Sequence, residues 1–234
     1  MALAAGCDDS PALPAEHPTR QRSLSERIVG WARHASKMSA EHRGDLCLAL
    51  AEASIPAVSG RLRIIVSGED AVLSRGAALA LAKTLHRRDG SEGLVECWRE
   101  DTNPFVRTAC LDVLRDLDAA AFKALAETVA ASELPSLRAR RFELDAPRPV
   151  LPTSVPVTPL LESDEPSDRR RGLRLLLQLE SAGAGETGID NAVVRSLGDK
   201  DPQVALIASA LLLRRSIRES PPPVSTAIPD GAMQ

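Results

Sequence analysis

Arg43-Gly44-Asp45-Leu46-Cys47-Leu48-Ala49-Leu50-Ala51 and Arg75-Gly76-Ala77-Ala78-Leu79-Ala80-Leu81-Ala82-Lys83 share one pattern of arginine, glycine and small apolar residues, 32 residues apart. A further 32 residues brings Arg107-Thr108-Ala109-Cys110-Leu111-Asp112-Val113-Leu114, and 64 more brings Arg171-Gly172-Leu173-Arg174-Leu175-Leu176-Leu177. Between these two, Ala139-Arg140-Arg141-Phe142-Glu143-Leu144 keeps the phase. A last copy, Ala205-Leu206-Ile207-Ala208-Ser209-Ala210-Leu211-Leu212, follows after 34. Self-similarity at a fixed period of this length marks a chain built of stacked supersecondary units. We take the first residue of each copy as its anchor and count about six units.

Within a unit, apolar residues fall two, three, six and seven positions after the anchor, as in Ala109, Cys110, Val113 and Leu114. That spacing predicts a helix with one buried face. A turn signal precedes each such anchor helix: Gly68-Glu69-Asp70, Asp101-Thr102-Asn103-Pro104, Asp164-Glu165-Pro166-Ser167 and Asp199-Lys200-Asp201-Pro202. Capping acids and prolines suit a helix's first turn. A shorter helix ends just before each turn, in Leu62 to Val66, Leu94 to Trp98 and Val193 to Leu197. Neither helix of such a pair can bury its stripe alone, so the expectation is all-α: an α-solenoid of about six helix pairs.

Over roughly residues 39 to 217 these features resemble the HEAT-like repeats, in their short bacterial form. The marks are Asp101, Pro104, Val106 and Arg107, with partial copies at Asp201, Pro202 and Val204 and at Glu69, Val72 and Arg75. The resemblance implies that turn acid and helix arginine tie neighbouring repeats, through Glu69 with Arg75, Asp101 with Arg107, and Glu165 with Arg171. The pattern fails at Ala139 and Ala205, and Lys37 stands where Arg43 would want its acid. The family's usual work implies a non-catalytic scaffold for a protein or peptide partner. An alternative within it is an accessory or enzyme-associated protein of the bilin-lyase type, which would want more aromatic residues than this chain has.

Composition narrows the classes. Of 234 residues 44% are hydrophobic, enough for a core, but only Trp31, Trp98, Phe105, Phe122 and Phe142 are aromatic, so small aliphatics must pack it. A formal charge of −3 supplies no overall field for nucleic acid. Arginines cluster at Arg138, Arg140 and Arg141, at Arg169 to Arg171 with Arg174, and at Arg214, Arg215 and Arg218. Stacked, they offer weak nucleic-acid binding as a further alternative. The scarcity of aromatic platforms and the nearby acids Glu162, Asp164, Glu165 and Asp168 argue against it, so no nucleic-acid partner is expected.

Ala146-Pro147-Arg148-Pro149-Val150-Leu151-Pro152-Thr153-Ser154-Val155-Pro156-Val157-Thr158-Pro159 cannot be helical. The anchor phase survives it, so this segment replaces the first helix of the fifth unit, with one helical turn from Pro159 to Ser163. An extended strap along the solenoid, a docking ligand and a joint are its three readings. The expected organisation is a tether over 1–22, four units over 23–145, the proline-rich segment over 146–158, two units over 159–218 and a tail over 219–234. Leu3-Ala4-Ala5-Gly6-Cys7-Asp8-Asp9 resembles the end of a bacterial lipoprotein signal, though no charged or long apolar stretch precedes it. That resemblance implies lipidation of Cys7, attachment to a membrane through that anchor alone, and a place in the cell envelope. A cytoplasmic protein with a frayed N-terminus is the alternative.

Catalytic and metal-binding patterns are missing from the sequence: the histidines are scattered, no Cys-x-x-Cys occurs, and neither a nucleophile elbow nor a phosphate loop is present. No cofactor is expected. Cys47 and Cys110, two units apart, would lie on the order of 20 Å from each other at ~10 Å per helix layer. Cys97 and Cys110 flank one turn and come within a disulfide's reach if the chain is exported. The positions one, five and eight after the anchor are apolar in the last two units, at Leu176, Leu179, Leu206, Ala210 and Leu213. Either the proline-rich segment or the tail covers them, or they form a groove for a partner helix or an extended peptide.

Overall fold

A computed structural model describes residues 16–145, 157–181 and 189–219. Several of the longer helices start at a side-chain cap that the preceding turn supplies. Helix α1 (Glu16–Trp31) runs on through a 3-10 segment (Ala32–Lys37) to Ser39, whose Oγ accepts from His42 N at 3.2 Å and starts α2 (Ala40–Leu50). A turn at Pro56–Val58 leads into α3 (Ser59–Val66). Asp70 Oδ1 then accepts from Val72 N and Leu73 N at 3.0 and 3.2 Å and opens α4 (Ala71–Glu100). Asn103 caps α5 (Pro104–Leu117), and Asp118 caps α6 (Ala119–Ala131). Short turns α7 (Pro135–Arg138), α8 (Arg141–Leu144) and α9 (Thr158–Leu161) precede α10 (Pro166–Ser181), α11 (Asp190–Ser196) and α12 (Pro202–Glu219). The described residues are helical with no strand, and the chain is all-α.

The anchors Arg43, Arg75, Arg107, Arg171 and Ala205 fall in α2, α4, α5, α10 and α12. Gly90, at φ 66° and ψ −157°, breaks α4 in two, a conformation that costs glycine least. Its second part and α5 are the two helices around the Asp101 to Pro104 turn. The expected anchor helix at Ala139 is instead the two single turns α7 and α8. Too little of that stretch is apolar and inward-facing to hold a longer helix: Leu144 is buried, but Phe142 is 72% exposed.

Two expectations about the chain's course change. Residues 16–22, read as part of a tether, belong to α1; Gln21 Nε2 donates to the Ser216 carbonyl at 3.0 Å, so the helix is held by α12. Residues 1–15, with Cys7, lie outside the described residues, as do 146–156 of the proline-rich segment and 220–234 of the tail. The second change is larger. Helix α12 packs against α1, α2, α10 and α11, so the last anchor helix meets the first, where a simple stack lets each unit touch only its neighbours.

This closure accounts for the apolar residues on both faces of α12. Leu206, Ala210 and Leu213 are fully buried, and Leu176 and Leu179 on α10 are buried with them. A helix apolar all round belongs inside a core, and each Leu so buried contributes roughly 1.5–3 kcal/mol. The five residues read as a candidate partner groove are therefore core, on helices α10 and α12 that pack together, with α12 also against α1 and α2.

Candidate functional site

The C-terminal ends of α2, α5, α10 and α12 and of the first part of α4 converge on one cleft of about 370 Å³. Leu48, Leu79, Val113, Leu117, Leu177 and Ile217 give it apolar walls. Leu117, at 59% exposure, leaves one of these walls open to solvent. Helix C-termini end in unpaired carbonyls and carry partial negative charge, so cations are favoured there. Lys83 Nζ donates to the Ala51 carbonyl at 3.0 Å, Arg214 to the Leu177 carbonyl, and Arg218 Nη2 to the Glu180 carbonyl at 2.6 Å.

Glu52, just beyond α2, forms the polar part of the cleft floor. Lys83 Nζ reaches its Oε1 at 2.8 Å, and Arg214 grips both oxygens, Nε to Oε2 at 2.8 Å and Nη2 to Oε1 at 2.6 Å. Burial works against ionisation of this carboxyl, but the two cations outweigh it and hold its pKa down at about 2. It is thus a fixed anion at neutral pH, already bound on both oxygens, and unsuited to proton transfer. Burial also pulls the His86 imidazole below its ordinary value, with Asp118 opposing, so the neutral form prevails at pH 7.

The cleft is lined by four cationic side chains, Lys83, Arg87, Arg214 and Arg218, against two carboxylates, Glu52 and Asp116. Lys83 and Arg214 share Glu52. Arg87 and Arg218 stand exposed at the rim with no carboxylate at ion-pair distance among the described residues. An anionic group arriving with an apolar body would meet complementary surface on both counts.

No family model, curated protein or solved structure matches this chain. The site therefore stands on its own geometry. Among the described residues no group of three or more His, Cys, Asp or Glu side chains is gathered as a metal centre would need, and no helix is long and apolar enough to cross a membrane.

The expected ties take a different form. Among the described residues no ion pair joins Glu69 with Arg75, Asp101 with Arg107, or Glu165 with Arg171. Asp101 Oδ1 is occupied by the backbone N–H of Asn103 at 2.8 Å, inside its own turn. Of the anchor arginines, Arg43 reaches Asp70 at 3.6 Å and Arg107 reaches Glu143 at 2.9 Å, about one period ahead, and beside Arg171 it is Arg169 and Arg170 that reach Asp199 at 2.7 Å and Asp201 at 4.0 Å. An extended arginine spans the step to the following turn more readily than it folds back on its own.

Most of the clustered arginines are likewise spent on the fold. Arg174 binds Asp45 and Glu41, and Arg215 binds Glu180 and Asp190. Arg140 Nη1 caps the carbonyls of Trp98 and Arg99 at 2.8 and 2.9 Å and lies over the Trp98 ring. Cys97 and Cys110 are joined in a disulfide with their Cα atoms 6.4 Å apart, which fastens the second part of α4 to α5. Cys47 is the free thiol among the described residues, and burial raises its pKa, so it is a poor nucleophile.

Sequence reasoning missed Glu52, Lys83 and Arg87, and read Arg214 only as part of a basic cluster. Two of them carried a readable signal: Glu52 is the lone acid within the otherwise small and apolar run from Leu46 to Ile55, and Arg214 closes the apolar run from Val204 to Leu213. A single charge inside such a run has to find a buried partner.

Proposed function

We propose that the chain is a non-catalytic binding module, a set of HEAT-like helix pairs closed end to end, that receives a protein partner in the cleft framed by the C-terminal ends of its anchor helices. The exposed Leu117 wall beside Arg87 and Arg218 carries this reading, because an apolar surface next to cations that have no carboxylate at ion-pair distance suits an interface with a partner. The fixed and neutralised Glu52 and the poor nucleophilicity of Cys47 support binding over chemistry. Engagement of most clustered arginines within the fold weakens the nucleic-acid alternative.

We place the protein outside the reducing cytosol. The disulfide between Cys97 and Cys110 supports this, since such bonds persist mainly in oxidising compartments. The lipid anchor at Cys7 remains the companion proposal and rests on the sequence resemblance alone. Affinity capture from envelope extracts, comparing the native chain with Leu117→Asp, tests the binding reading. A protein retained by the first and lost with the second supports it. A capture profile identical for the two overturns the cleft as the site.

A further inference from the structure

The chemistry of the cleft narrows what it can take, and the following rests on the binding reading above. Its apolar walls, Leu79, Val113, Leu117 and Ile217, are aliphatic, and with His86 as the one ring among its lining side chains it offers no Phe, Tyr or Trp face for a base to stack on. Its charge without a carboxylate at ion-pair distance is positive, in Arg87 and in Arg218, whose Nη2 donates to the Glu180 carbonyl, while the chain as a whole carries −3. That local reversal of sign favours an anionic occupant over the average surface of any acidic protein.

The shape distinguishes a macromolecular occupant from a small one. Sites for small molecules enclose roughly 70–90% of the ligand's surface. This cleft opens to solvent at Leu117, which is 59% exposed, with the exposed residues Arg87 and Arg218 at its rim. A small amphiphile lodged there would leave much of its apolar body wet. A side chain or two of a larger partner would fill the floor while the partner's own backbone covered the rim, the arrangement in which a central apolar contact is sealed from water by its surroundings.

We infer that the cleft takes an acidic amphipathic segment of a protein partner, its apolar side chains seated against Leu79 and Leu117 and its carboxylates on Arg87 and Arg218. Guanidinium groups bind carboxylates in a two-pronged geometry that lysine cannot copy, and both rim cations are arginine. Lys83 and Arg214 share the single carboxylate of Glu52, so the floor keeps one net positive charge that adds to that of the rim.

The test is fluorescence anisotropy with two labelled synthetic peptides on the full chain, one with leucines at helical spacing and glutamates between them, the other with those glutamates replaced by lysine. The native protein is expected to bind the glutamate peptide and not the lysine peptide. Arg87→Glu, at an exposed position with no ion pair to lose, should weaken the glutamate peptide by about tenfold or more and improve the lysine peptide. Arg87→Glu with Arg218→Glu should exchange the preference, with thermal unfolding as the check on folding. Equal binding of the two peptides, no binding of either, or indifference to Arg87→Glu overturns the inference. Displacement of 1-anilinonaphthalene-8-sulfonate by decanoate but not by the glutamate peptide would assign the cleft to a small amphiphile and overturn it equally. Should the Leu117→Asp comparison identify a partner while the glutamate peptide fails, the acidic chemistry falls and the binding reading stands.

Discussion

Glu52 and Arg214, 162 residues apart in sequence, form a two-pronged ion pair in the interior, with Nε to Oε2 at 2.8 Å and Nη2 to Oε1 at 2.6 Å. Both are buried, and Lys83 completes the group from a third helix. The pair fastens the C-terminal helix α12 to the end of α2. Removing one partner strands a charge in the core. Glu52→Ala should therefore cost roughly 3–5 kcal/mol in urea unfolding, whereas replacing Glu52, Lys83 and Arg214 together with Leu, Met and Met should be close to neutral. An equally large loss in the triple variant would show that the charges contribute net stability.

The same carboxyl sets an acid limit on folding. Its pKa of about 2 lies below the ordinary 4.5, so the unfolded chain takes up this proton first as pH falls. The associated stability is fully present above about pH 4.5 and is lost between there and pH 2, on the order of 3 kcal/mol in all. Melting temperature measured across this window should fall less steeply for Glu52→Gln than for the native chain.

Glycines at one position of the pattern should respond in opposite ways. Gly44 and Gly76 both follow an anchor arginine, but a Cβ on Gly76 would come to 2.3 Å from the Cys47 carbonyl oxygen, whereas one on Gly44 meets nothing within 4 Å. Gly76→Ala should destabilise by roughly 1–3 kcal/mol by forcing α2 and α4 apart. Gly44→Ala, inside α2, should stabilise by roughly 0.5–1 kcal/mol through helix propensity. Thermal denaturation of the two variants side by side decides it.

Closure of the loop between Cys97 and Cys110, a separation of 13, should contribute about 3 kcal/mol by the chain-entropy argument. Cys110→Ser, or reduction of the native chain, should lower the melting temperature, while Cys47→Ser should leave it little changed. Mass spectrometry of non-reduced peptides checks the pairing directly.

Much of the helix pattern was legible because it rests on local chemistry. Asp70, Asn103 and Asp118 each cap the helix that follows, and the stripe of Ala109, Cys110, Val113 and Leu114 is buried. What escaped depends on contacts between distant segments. Leu206 and Leu213 look alike in sequence whether a partner or α1 and α2 cover them, because a stripe records that cover is needed without recording its source. The arginine ties were misdirected for a related reason: spacing sets which residues share a face, but the geometry between neighbouring helices decides that Arg43 meets Asp70 ahead of it. The cleft itself was hidden because it joins residues from five helices, and the lone charges Glu52 and Arg214 signal that each needs a buried partner without saying which.

The central claim is that the cleft beside Leu117 is where a partner docks, and the most direct measurement is photocrosslinking in living cells with a photoreactive phenylalanine analogue in place of Leu117. A discrete adduct with one protein, absent when the same analogue replaces the still more exposed Phe142 and lost when Arg87→Glu is added, is the result expected. Adducts of the same pattern from both positions, or none from Leu117, would contradict it.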